Sequence, residues 1–351
     1  MTALFLCIGL LLLVAGAEAL VHGASQIAER AGISPLVVGL TVVAFGTSAP
    51  ELAVSVGASL SGQANLALGN VVGSNIFNVL FILGAAALVA PLAVSSQLVR
   101  MDVPLGIGVA VATLLMAVDG TIGWLDGSLL FVGILAYTAF LIQQSRASAP
   151  SQEASPDAPA AVPSAASTWI INVGLVVAGL AMLVLGSRWL LQGAVSFAQR
   201  LGVSELVIGL TLVAGGTSLP ELATSVLAGL RGERDIAVGN VVGSNLFNLL
   251  AVLGLSALVA PNGIAVSDAV LWFDFPVMIA VAVACLPIFV TGTTIARWEG
   301  ALFLGFYGAY TAYLILAATQ HDALSTFSVA MGAFVLPITA VTLLVLVLRD
   351  R

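Results

Sequence analysis

GLTVVAFGTSAPE occupies residues 39–51 and GLTLVAGGTSLPE occupies 209–221, while GNVVGSNIFN fills 69–78 and GNVVGSNLFN fills 239–248. Each second copy lies 170 positions after its first, and at that offset 32–91 and 202–261 share 39 of 60 residues. Both copies keep a glutamate, a proline and a cluster of Ser, Thr and Asn inside strongly apolar segments. A membrane helix that retains such residues usually moves something polar. Two copies imply two halves arranged about one site.

Composition places those motifs in a membrane. Of 351 residues, 60% are hydrophobic and only 8% charged, and mean hydropathy is +1.15. Apolar runs of about 20 residues, the length of one helix across the hydrocarbon core, recur along the chain. The class read from this is an all-α polytopic membrane protein. Thirty-six glycines suit close helix–helix packing. All ten cations are arginine, which excludes a basic nucleic-acid surface. Cys7 and Cys285 share no metal spacing and are read as buried small hydrophobes.

The apolar runs predict spans at 3–28, 34–59, 66–89, 101–118, 122–142, 168–197, 204–229, 236–259, 270–290, 298–318 and 325–348. The start, MTALFLCIGLLLLVAGAEAL, lacks a cationic leader and matches 171–190 at the same offset, so it is read as the first retained span. The expected organisation is a five-helix repeat over 1–142, a linker over 143–167, a second five-helix repeat over 168–318, and an added helix with its tail over 319–351. The linker is rich in Ala, Ser and Pro without apolar period and reads as disordered. An odd number of spans per half forces the two repeats into inverted topology. With the N-terminus outside, eight arginines (Arg30, Arg100, Arg146, Arg231, Arg234, Arg297, Arg349, Arg351) face the cytoplasm and two (Arg188, Arg200) face out. The linker and the C-terminus are then cytoplasmic.

The motif chemistry is oxygen chemistry. Pro50 has no N–H, so the Gly46 carbonyl loses its helical donor. The backbone from Ala44 to Thr47 can offer carbonyl oxygens, tolerated at membrane depth only if protein, water or an ion satisfies them. Thr47 and Ser48 add hydroxyls and Glu51 a carboxylate. Ala214, Gly216, Thr217, Ser218, Pro220 and Glu221 repeat the set. Asn70, Ser74 and Asn78 share a helical face at a spacing of four, as do Asn240, Ser244 and Asn248. Carboxylate, amide, hydroxyl and main-chain oxygens without His or Cys suit a hard cation such as Ca²⁺, which takes about 6–8 oxygens, or Na⁺. No arginine lies in the core of these spans, so a cation or a proton must balance Glu51 and Glu221. Ser, Thr and Asn in membrane helices often only join helices, but the repeated glutamate–proline pair with matching hydroxyls outweighs that reading. Glu18 and Arg188 read as helix-end or snorkelling residues, and Asp102 and Asp274 as acids opening helices.

At these residues the chain resembles the calcium/cation antiporter superfamily, in its sodium/calcium exchanger branch. GTSxPE and GNxxGSNxFN look like that family's two α-repeats, and the likeness covers essentially 1–318. The resemblance implies ten core helices, a diamond-shaped cluster of ion sites at the midplane, and alternating access in which spans 1 and 6 slide over the rest. Carried over by motif position, Glu51 and Glu221 would be shared Ca²⁺/Na⁺ ligands. Thr47, Ser48, Ser74, Thr217, Ser218 and Ser244 would supply hydroxyls, and the carbonyls of Ala44 and Ala214 would line Na⁺ sites. Many members carry Asp at the position of Asn248, against Asn at that of Asn78. Here both are Asn, so the centre has two carboxylates where those members have three, which bears on stoichiometry and driving ion.

The expectation is therefore a secondary antiporter exchanging Ca²⁺ for Na⁺ in a prokaryotic cytoplasmic membrane, acting as a monomer. It would have no cofactor, with inorganic cations and the lipid bilayer as its partners. A proton-driven antiporter is the alternative, although proton-driven relatives typically place a histidine after the glutamate and neither glutamate here has one. A passive cation channel is the reading from another class. An intramembrane hydrolase would need a nucleophile with a base or a metal, and the core has no histidine, so an enzyme is not expected.

Overall fold

Glycines set the closest approach between two helices. In the computed structural model, which describes residues 2–148, 165–213 and 215–349, α1 (Thr2–Ala31) lies antiparallel to α7 (Ala165–Arg200). Gly9, Gly16 and Gly23 recur every seven residues on α1, and Gly179, Gly186 and Gly193 do so on α7. That spacing keeps each set on one stripe. A Cβ added at Gly16 would lie 2.8 Å from the Gly179 carbonyl oxygen, and one at Gly186 would lie 2.9 Å from that of Gly9. Only glycine permits such backbone contact, and lipid supplies no competing drive to separate the pair.

The remaining helices surround two central ones. They are a pair α2 (Pro35–Thr47) and α3 (Ala49–Leu60) bent by 47°, α4 (Ala64–Val89), α5 (Leu98–Ala117), α6 (Trp124–Ser148), α8 (Glu205–Ile208), α9 (Leu219–Arg231), α10 (Arg234–Val259), α11 (Val270–Thr293), α12 (Arg297–Ala318) and α13 (Ala323–Leu348). In α4 and α10, 78% and 83% of the most apolar window is buried, against 6% in α13. These two carry the GNxxGSNxFN motifs, whose Asn and Ser side chains avoid lipid by lying inside.

Nine helices among the described residues are long and apolar enough to cross a membrane, and the bent pair makes a tenth. Expected span 204–229 appears as α8, a π-helical turn (Gly209–Val213) and α9, with a turn over 215–218 before α9; Ala214 lies outside the described residues. Of the expected linker over 143–167, residues 143–148 continue α6 and 165–167 open α7, so both ends are helical, and 149–164 lie outside the described residues.

The all-α expectation needs one amendment. Four two-residue strands form two antiparallel ladders: β1 (Leu92–Ala93) with β4 (Thr294–Ile295), and β2 (Thr121–Ile122) with β3 (Ile264–Ala265). Each ladder joins a loop of one half to a loop of the other, because backbone groups leaving a helix must find partners. Periodicity over two residues carries no signal, so the sequence could not announce them.

Asp102 and Asp274 do not cap their helices, as the helix-opening reading proposed. Tyr137 donates to Asp102 Oδ1 at 2.9 Å, and Gln97 donates to its Oδ2 at 3.2 Å. Tyr310 donates to Asp274 Oδ1 at 3.0 Å. Each aspartate thus ties α5 to α6, or α11 to α12. Cys285 is buried as expected, whereas Cys7 is exposed, on the outer surface of α1.

Candidate cation site

Two serines stand where the helices break. Ser48 (φ −82°, ψ 7°) separates α2 from α3, and Ser218 (φ −89°, ψ 11°) precedes α9. Both occupy the sparsely populated bridge region, common at functional positions. Pro50 and Pro220 fall in the first turn of the following helix, where a missing N–H costs nothing. Glu51 and Glu221 come next and are fully buried.

Hydrogen bonds then cross from half to half. Ser48 donates to Glu221 Oε1 at 2.9 Å, and Ser218 donates to Glu51 Oε1 at 2.7 Å. Thr47 Oγ1 reaches Asn240 Oδ1 at 3.1 Å, and Thr217 Oγ1 reaches Asn70 Oδ1 at 3.3 Å. Ser218 also meets Ser74 Oγ at 3.3 Å. Each half's hydroxyls therefore orient the other half's carboxylate and amide, and the site exists only when the halves are docked.

Asn70 and Asn240 act as braces. Asn70 Nδ2 donates to Ser55 Oγ at 2.9 Å and to the Glu51 carbonyl at 3.3 Å; Asn240 Nδ2 does the same to Ser225 Oγ at 2.9 Å and the Glu221 carbonyl at 3.4 Å. Ser55 and Ser225 were not singled out in the sequence, although they follow the glutamates by four residues and so share their face. Leu180 and Leu191 of α7 pack on Gly46 and Gly216: a Cβ at either glycine would lie 2.5 or 2.6 Å from the leucine.

The sequence-predicted ligands divide into two groups. Glu51, Glu221, Thr47, Ser48, Ser74, Thr217 and Ser218 join the cross-linked cluster described above. Asn78 and Asn248 lie one turn beyond Ser74 and Ser244, each at the start of a π-helical segment (Asn78–Leu83 and Asn248–Leu253), a distortion frequent at functional sites. The Ala44 carbonyl accepts the Ser48 N–H at 3.0 Å and lies 3.4 Å from the Thr47 hydroxyl, so it is not freed by the proline. The short helical turn Ala44–Thr47 supplies that bond. Ala214 lies outside the described residues.

Five buried oxygens here have no hydrogen-bond partner among the described residues: Oε2 of Glu51, Oε2 of Glu221, Oδ1 of Asn78, Oδ1 of Asn248 and Oγ of Ser244. Leaving such a group unpaired costs about 1–3 kcal/mol, more for a charge. A native fold seldom leaves such groups without a ligand or water to meet them. All are hard oxygen donors, and no group of three or more His, Cys, Asp and Glu able to hold a metal occurs among the described residues. The set fits a passing hard cation as cargo and does not fit zinc.

The family model described as sodium/calcium exchanger protein matches residues 1–143 and 171–316. The chain is 41% identical over 283 residues to the putative antiporter CaxA of Alkalimonas amylolytica, covering 81% of this chain and 88% of that one. It is 34% identical over 344 residues to the sodium/calcium exchanger MaX1 of Methanosarcina acetivorans, covering 89% and 97%. Among solved structures it is similar to the sodium-calcium exchanger NCX_Mj, with TM-score 0.75, 28% identity and coverage of 89% and 97%. With matching segments over most of its length, the chain belongs to the sodium/calcium exchanger protein family.

Proposed function

We propose that this protein exchanges Ca²⁺ for Na⁺ across the membrane by alternating access at the site shared by Glu51 and Glu221. Family membership carries the coarser statement, a membrane antiporter of inorganic cations. The observation that carries the finer one is the set of five unpartnered buried oxygens, two of them carboxylate, among the motif residues. Two carboxylates balance one Ca²⁺ or two Na⁺ without remainder. Either occupied state then removes the cost of burying uncompensated charge, while an empty, doubly charged site is disfavoured. That difference couples the two fluxes: the protein crosses readily when loaded and poorly when empty.

The site ligands in this reading are Glu51, Glu221, Thr47, Ser48, Ser74, Asn78, Thr217, Ser218, Ser244 and Asn248, with the carbonyls of Ala44 and Ala214. The two halves act as inverted five-helix repeats, with α13 as an addition. The α1–α7 pair, rigid because its glycines interlock, moves as one body over the remainder. The protein works as a monomer in the cytoplasmic membrane with its N-terminus outside, supported by the arginine distribution.

Reconstitution into proteoliposomes tests the driving ion. With radiolabelled Ca²⁺, an imposed Na⁺ gradient should drive uptake and a proton gradient alone should not; the reverse result would move the protein to the proton-driven class. Uptake that ignores both gradients would make it a channel. Orientation is tested separately, by a Ser155→Cys variant lacking Cys7 and Cys285. In intact cells it should resist membrane-impermeant thiol reagents, and ready labelling would invert the topology.

A further inference from the structure

An asparagine that offers its oxygen to a cation has a problem that a glutamate lacks. One end of the amide accepts and the other carries two N–H donors, so the wrong rotation points a positive dipole at the ion. The structure assigns Asn75 and Asn245, outside the ligand set, as the positioning residues that hold Asn78 and Asn248 with their oxygens free.

The arrangement is a closed, two-fold exchange between α4 and α10. Asn248 Nδ2 donates to Asn75 Oδ1 at 3.1 Å, and Asn78 Nδ2 donates to Asn245 Oδ1 at 3.0 Å. The positioning amides are themselves held the right way round. Asn75 Nδ2 donates to the Asn245 carbonyl at 3.2 Å and approaches Met278 Sδ at 3.7 Å, and Asn245 Nδ2 donates to the Asn75 carbonyl at 3.4 Å. Backbone carbonyls cannot reverse their polarity, so they fix Asn75 and Asn245, which in turn fix the two site amides. What remains is Oδ1 of Asn78 and Oδ1 of Asn248, both buried and without a partner. Asn75, Asn78 and Asn248 are nearly inaccessible, at 3%, 0% and 1% exposure, so water does not reorient them cheaply. Each positioning residue lies three positions before the site asparagine of its own half yet orients the one in the other half. The same contact therefore links amide orientation to docking of α4 on α10.

This inference rests on the antiport reading, in which Asn78 and Asn248 lend oxygens to Ca²⁺. Its test is the KM of Ca²⁺ self-exchange in proteoliposomes holding the full chain, with Ca²⁺ on both sides, which does not depend on the driving ion. Asn75 and Asn245 border a cavity of about 50 Å³, which gives leucine room. Asn75→Leu should raise the KM about three- to tenfold, the net worth of one neutral amide hydrogen bond, with Vmax changed less than about twofold. In the Asn248→Asp background the same substitution should raise KM less than about twofold, because a carboxylate has no wrong end. Asn245→Leu should behave likewise, with Asn78→Asp as its rescuing background. Should leucine block insertion, Asn75→Ser enlarges the space and should shift KM in the same direction.

An equal loss in both backgrounds would mean that Asn75 only joins the helices, and an unchanged KM in Asn75→Leu would also overturn the assignment. The underlying reading fails differently. An Asn248→Leu variant with unaltered KM would remove Asn248 from the ligands, and absence of Ca²⁺ self-exchange in the unmodified protein would sink Ca²⁺ antiport and this proposal with it.

Discussion

At the centre of the molecule the two halves make closely matched contacts, whereas away from it they diverge. The Ser48–Glu221, Thr47–Asn240 and Asn240–Ser225 contacts have counterparts in Ser218–Glu51, Thr217–Asn70 and Asn70–Ser55, within 0.2 Å, although Ser218 also meets Ser74 whereas Ser244 Oγ has no partner among the described residues. Further out, Glu18 of α1 forms an ion pair with Arg231 at the end of α9. The equivalent positions 170 residues away hold Arg188 and Ser61, which cannot form one. Ser59 and Ser256, buried and unpartnered on packed helices, answer Gly229 and Ala86 in the other half. In an alternating-access protein built from inverted repeats, two identical halves would make the two end states equal in energy. On the proposed mechanism, matched contacts at the centre would give both states similar ligands, while asymmetry outside it would set which state the empty protein prefers.

The largest effect should come from breaking the centre. Glu51→Gln and Glu221→Gln each remove one of the two charges able to balance a divalent ion. Both should lower Ca²⁺ transport more than about tenfold, given a Coulomb loss of several kcal/mol at an effective dielectric near 20, while membrane insertion stays normal. If either variant kept more than half the wild-type rate, the two glutamates would not be equivalent.

Adding charge tests the same symmetry in the opposite sense. With two carboxylates, exchange of two Na⁺ for one Ca²⁺ should be nearly indifferent to a potassium diffusion potential. Asn248→Asp and Asn78→Asp should each introduce voltage dependence, bounded by about 2.3 kcal/mol per charge per 100 mV. Strong acceleration of the wild type by voltage would overturn the charge balance argued here.

The interface between halves supplies a third comparison. Gly16→Leu puts a side chain into the backbone of α7 and should cost about 1–3 kcal/mol, seen as a lowered Tm in detergent. Gly174→Leu, on α7 where a Cβ meets nothing within 4 Å, should leave Tm unchanged. Equal losses would mean that α1 and α7 are not held by the glycine stripe.

The smallest effect belongs to the outer asymmetry. Both partners of the Glu18–Arg231 pair are about half exposed, so the pair is worth under about 1 kcal/mol. Glu18→Gln should shift the ratio of inward- to outward-accessible protein no more than about fivefold, and Glu18→Arg with Arg231→Glu should restore it. A change in Ca²⁺ KM without a change in that ratio would place the pair in the binding machinery instead.

The motifs themselves were legible in the sequence, because a glutamate, a proline and three asparagines repeated inside apolar helices have no cheap explanation in a bilayer. That logic identified the helical membrane class, two related halves, and Glu51, Glu221, Ser48 and Ser218 as members of one site. It also identified the hard-oxygen character of that site, since ligand chemistry follows from residue type alone. Partners across 144 to 213 positions were not legible. Only the tertiary structure decided that Ser48 serves Glu221 and not its neighbour Glu51, that Glu18 meets Arg231, and that Asn75 and Asn245 hold the other half's amides. The physical reason is that helical periodicity specifies which residues share a face, whereas hydrogen bonds are completed by whatever the packing of two helices brings within about 3 Å.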